Sequence, residues 1–203
     1  MRIILALSTI LLATGSAFAH PGHAGGHDEA SFAHGFMHPL GGLDHLLAMI
    51  AVGLLAWLVA ERTGSRRSLW LVPAAFVGMM AMAGLAAVQG FGLPLVELGI
   101  GLSIVAIGAA VALGATLPVA GAMALVGFFA LFHGHAHGTE MPADSSALAY
   151  GLGFVAATAL LHGAGVAAGF GVGSVSRTRG VLAARIGGGA MALAGVAIVG
   201  GIL

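Results

Sequence analysis

Six stretches of the chain, residues 39–60, 69–89, 94–113, 118–137, 146–171 and 181–203, are each apolar for about the 20 residues that a helix needs to cross lipid. Lipid offers the backbone no hydrogen-bond partner, so runs of this length must satisfy their own amides as helices. The expected fold is an all-α integral membrane protein, a six-transmembrane-helix bundle over residues 38–203. Composition agrees: of 203 residues 59% are hydrophobic and 7% charged, too few polar groups to clothe a water-soluble domain. A formal net charge of zero leaves no basic footprint for nucleic acid. The absence of Cys removes disulfides, thiolate metal sites and thiol catalysis together, leaving His, Asp, Glu, Met and backbone carbonyls as possible ligands.

Ahead of the first span, residues 1–19 read as a cleavable signal peptide, with Arg2, an apolar core over 3–13 and the small-x-small site Ala17-Phe18-Ala19. An uncleaved anchor is the alternative. Cleavage leaves residues 20–37 as an exported, histidine-rich flexible tail, in which His20, His23, His27 and His34 accompany Asp28 and Glu29. Pro21 lacks the N–H that an N-terminal amide chelate would use.

The loops sort by charge. Those after the first, third and fifth spans hold every arginine of the mature chain except Arg185, which lies at the same end, and the positive-inside rule makes this the cytoplasmic side. The mature N-terminus then faces the periplasm across an inner membrane. That opposite side gathers the imidazoles and most carboxylates, and only His162 lies deep.

Three constellations stand out. In His38-Pro-Leu-Gly-Gly-Leu-Asp-His45, Pro39 suits the first turn of a helix, which puts His38 at the mouth and His45 about 10 Å deeper on the same face. Asp44, about 100° round the helix, is either a ligand or the partner that orients an imidazole; the plainer reading is a hydrogen-bonded pair at a wet interface. In Phe132-His-Gly-His-Ala-His-Gly-Thr-Glu140, His133 and His137 share a helical face and can chelate one divalent ion, Glu140 follows three residues on, and His135 points elsewhere or caps the loop. Glu97 sits just inside the third span at the same level, and His162 is a core histidine or a relay ligand further in. Small residues four apart, as in Gly99/Ser103 and Gly188/Ala192, read as close helix packing, and the methionines read as packing or lipid-facing residues. Imidazole with carboxylate suits Ni²⁺, Co²⁺ or Zn²⁺.

The stretches "HPLGGLDH" and "FHGHAHGTE" resemble the two signature regions of the HupE/UreJ family, membrane proteins associated with nickel supply to hydrogenases and ureases. The resemblance implies a permease without a prosthetic group, whose partners are the bilayer and a divalent ion, nickel or else cobalt, carried inward for metalloenzyme maturation. By position it assigns His38, Asp44 and His45 to the first motif and His133, His135, His137 and Glu140 to the second; Glu97 and His162 rest on their placement alone. No Walker lysine motif is present, so the chain hydrolyses no nucleotide. Two rival readings use the same residues. One is a membrane-embedded zinc hydrolase built on His45, His133 and His137 with Asp44 or Glu97 as base, although H-E-x-x-H is missing; the other is a non-transporting periplasmic metal sensor.

Overall fold

The structure, a computed structural model, describes residues 26–203. The signal peptide at 1–19 and the start of the tail, with His20 and His23, lie outside the described residues. Seven helices follow in order: α1 (Gly26–Gly41), α2 (Leu43–Thr63), α3 (Ser68–Val88), α4 (Val96–Ala112), α5 (Val119–Glu140), α6 (Ala147–Val175) and α7 (Arg177–Val199). Helices α2, α3, α5, α6 and α7 are long and apolar enough to cross a membrane, while α4, with 17 residues, is apolar but shorter. The chain is thus a multi-pass, all-helical membrane protein.

Two expectations for the N-terminal region are corrected. Residues 26–37 are helical, not a flexible tail, and Pro39 falls in the last turn of α1 and not in the first turn of a span. Pro39 withdraws one hydrogen bond from that turn, and the chain then breaks at Gly42, whose backbone is extended (φ −100°, ψ 123°), before α2 begins. Glycine here provides contact. A Cβ on Gly35 would strike the Tyr150 carbonyl, and one on Gly153 would strike the Phe32 carbonyl, so α1 and α6 cross at matching notches. Ser31 seals the crossing by accepting the Ser146 amide at 3.0 Å.

Helix α2 forms the axis of the bundle. Its run from Ala48 to Val59 is buried almost without interruption, with Trp57 and Met49 among the largest enclosed side chains. Around it pack α3 against α5, α4 against α7, and α6 against both α1 and α2. Helix α2 ends as many helices do: Gly64 takes the left-handed conformation (φ 72°) and returns its amide to the Ala60 carbonyl at 2.9 Å.

The two ends of the bundle differ chemically. At one, a Cβ on Gly114 would meet the Arg62 guanidinium, and Arg185 Nε donates to the Ala112 carbonyl at 2.7 Å. At the other lie α1, the α3–α4 loop and the turn between α5 and α6, together with all the described histidines except His162, which sits midway along α6.

Near His162, α2 and α6 touch backbone to backbone. A Cβ on Gly165 would meet the Ile50 carbonyl and stand 2.9 Å from Gly53 Cα, whereas one on Gly163 would meet nothing within 4 Å. Gly165→Val should therefore lower stability by about 1–3 kcal/mol or more, and Gly163→Val should be tolerated; thermal unfolding in detergent, read by the loss of monodisperse protein, compares the two.

Candidate metal centre

An isolated imidazole inside an apolar bundle is easily satisfied by one carbonyl, but here several converge. His45, in the first turn of α2, meets His133 and His137, one turn apart on α5, with ring centroids 5.0 Å and 4.6 Å from its own. All three are buried, at 6%, 0% and 4% exposure. Each offers a nitrogen, and those ligand atoms lie within 4.8 Å of one another.

Hydrogen bonds determine which nitrogen is free to bind. Asp44 Oδ1 lies 2.8 Å from both the backbone amide and Nδ1 of His45. A carboxylate only accepts, so Nδ1 carries the hydrogen and Nε2 keeps the lone pair. Ser103 plays the same part for His133. Its single hydroxyl hydrogen is committed to the Ile100 carbonyl at 2.6 Å, so its oxygen accepts from His133 Nε2 at 2.9 Å and leaves Nδ1 bare. His45 Nε2, His133 Nδ1 and both nitrogens of His137 have no hydrogen-bond partner among the described residues. Two imidazole lone pairs, those of His45 and His133, are thus each held by a partner on the far side of the ring and meet a third ring, His137, an arrangement suited to a metal ion.

A second group lies toward solvent. His38, His137 and Glu140 also present ligand atoms within 4.8 Å of one another, so His137 belongs to both groups. His38 comes from the last turn of α1, a separate helix from His45, which corrects the expectation of one continuous face; the break at Gly42 brings the two rings to 5.9 Å all the same. His38 Nε2 is 3.1 Å from a Glu140 carboxylate oxygen. Burial holds the His38 pKa below the usual imidazole value, and the Glu140 charge offsets only part of that. The group opens onto a cavity of about 670 Å³ lined also by His34, Asp44 and Glu97.

The other expected site residues separate. Glu97, in the first turn of α4, is exposed at the cavity wall and belongs to neither three-ligand group. Asp44 orients His45 and is likewise outside both groups. His135 is drawn away: its Nε2 stands 2.9 Å from the Leu93 amide and 3.0 Å from the Phe91 carbonyl, which ties α5 to the α3–α4 loop. His162 is buried at 1% exposure, and the Phe76 ring is in contact with both it and His133.

Sequence reasoning missed three residues here. Ser103 read as a packing residue, because its partner lies thirty positions away and no local pattern joins them. Phe154 covers His137 with ring centroids 3.6 Å apart, and Tyr150 lines the cavity. Only the helix packing reveals either role.

Fold and site together define a multi-pass membrane protein with clustered imidazole and carboxylate ligands at one end. The family model described as HupE / UreJ protein matches residues 7–198. The chain is 43% identical over 180 residues to Protein HupE of Rhizobium leguminosarum bv. viciae, covering 88% of this chain and 89% of that relative. The chain belongs to the HupE/UreJ family. No solved structure matches it. Family membership makes it an accessory transport protein and not an enzyme, which sets aside the zinc hydrolase reading.

Ser103→Ala removes the acceptor that sets the His133 tautomer while leaving every ligand nitrogen in place. Cobalt affinity, followed by the visible absorption of the purified protein during titration, is expected to fall about 10–100-fold, with little change in thermal stability.

Proposed function

We propose that this protein is a secondary permease for a divalent transition-metal cation, nickel first and cobalt second, moving it inward across the bacterial inner membrane for metalloenzyme maturation. In this reading α2 to α7 all span the bilayer, the signal peptide is removed, the histidine-bearing end faces the periplasm and the arginine-bearing end the cytoplasm. One observation carries it: two three-ligand groups, one open to the cavity and one buried, share His137.

The shared residue makes a hand-over path. An ion entering the cavity meets Glu140 and His38, where a carboxylate offsets part of its charge and a neutral imidazole replaces part of its water. His137, with no hydrogen-bond partner among the described residues, then passes the ion to His45 and His133. Because each group offers few ligands and no closed cage, binding is strong enough to strip water yet weak enough to release. Imidazole donors favour borderline ions over Mg²⁺ and Ca²⁺. The membrane potential supplies about 2.3 kcal/mol per charge per 100 mV to an inward cation, and the arginine-bearing end gives it no place to bind.

Radiolabelled nickel uptake into cells, at matched membrane levels and with cobalt and zinc as competitors, tests the proposal. Uptake should fall to the empty-vector level in His45→Ala and in His137→Ala, and less far in His38→Ala, since His137 serves both groups and His38 only one. Wild-type uptake no greater than that of empty-vector cells would end the permease reading.

A further inference from the structure

A path that stopped at His45 and His133 would leave the ion near one end of the bundle with most of the crossing still ahead. Further in, along α6, a second set of donors is enclosed. His162 lies about 12 Å beyond Phe154 at 1.5 Å per residue, and neither of its ring nitrogens has a hydrogen-bond partner among the described residues. Burying an imidazole with both nitrogens unsatisfied costs free energy, so each such group in a native fold calls for an explanation.

Its surroundings supply one. Thr158 is one turn toward the histidine-bearing end on the same face of α6 and is fully buried. Its hydroxyl reaches the sulfur of Met80 on α3 at 3.9 Å. One turn along α3 from Met80 is Phe76, whose ring stands 5.1 Å from that of His162 and 5.4 Å from that of His133. An imidazole, a hydroxyl and a thioether therefore line the α3–α6 interface, and the Phe76 ring touches both His162 and His133.

We propose that His162, with Thr158 and Met80, forms an inner ion station, reached from the His45/His133/His137 group past the apolar face of Phe76. This deepens the permease reading and rests on it. The station contains no carboxylate, so it holds a divalent ion weakly, as the step before release requires. Its thioether and imidazole select borderline ions and reject hard ones.

Two substitutions of similar volume separate a ligand from a packing residue. His162→Met keeps a donor atom, and His162→Leu keeps only the bulk. The full-length protein would be reconstituted in phosphatidylethanolamine/phosphatidylglycerol vesicles, Ni²⁺ entry followed with an enclosed metal-sensitive dye, and the outer group monitored by Co²⁺ absorption in detergent. His162→Leu is expected to cut flux at least about tenfold, by the measure of a lost ligand-sphere contact, with the cobalt spectrum unchanged, and His162→Met to recover most of the flux. Flux in His162→Leu equal to wild type, equal losses in both variants, or loss of the outer cobalt spectrum in both would each overturn the station. Wild-type vesicles that bind cobalt but pass no nickel would instead overturn the permease reading itself, and the station with it.

Discussion

A carboxylate at the threshold of an apolar bundle costs several kcal/mol unless something donates to it. Asp44 meets that requirement through a single neighbour, His45, which donates both its backbone amide and Nδ1. The same pair of bonds directs the His45 lone pair inward, toward His133 and His137. A half-buried carboxylate in this way orients an imidazole. Ser103 does for His133, without charge, what Asp44 does for His45. His137 has no such partner, and it is the residue that the two groups share. Its ring is held by packing against Phe154, and both of its nitrogens are without a hydrogen-bond partner among the described residues.

Bringing these rings together in lipid depends on helices that approach closely. Hydrophobic burial does not drive helix association where the solvent is itself apolar, so contact comes from small residues that let backbones meet. Gly35 and Gly153 hold α1 on α6, and Gly53 and Gly165 hold α6 on α2. Gly134 lies against the Met80 backbone and joins α5 to α3. Each notch sits within a turn or so of a histidine or of a residue that touches one. Positioning the donors and packing the bundle are therefore the same task, performed by alternating residues on the same helix faces.

The chemistry grades from one end to the other. The cavity is walled by carboxylates and imidazoles, the buried three-histidine group is backed by Asp44 and Ser103, and the residues of the proposed inner station are neutral. Each step inward offers an ion less charge compensation and fewer strong donors. Membership of the HupE/UreJ family and this gradient both support the proposed transport, one from the order of residues along the chain and the other from their separation in space.

The sequence by itself determined the helical membrane class, the contrast between a histidine-bearing and an arginine-bearing end, the family, and most of the residues that gather at the candidate site. These follow from run length, hydropathy and i, i+4 spacing, which are local properties. His133 and His137 were legible as a pair because a single helix fixes their relation. His38 and His45 were legible as members of the site, but their relation was misread, because a proline in the last turn of α1 followed by an extended glycine turns one apparent span into two helices. Only the tertiary structure decided that residues 26–37 dock as helix on α6, that His135 ties down a loop, and that Ser103 holds a ligand. The physical reason is the same each time. A hydrogen bond or a ring contact between helices depends on distances that no spacing along the chain encodes, and the partners of Ser31, Ser103 and His135 lie 115, 30 and 42 residues away.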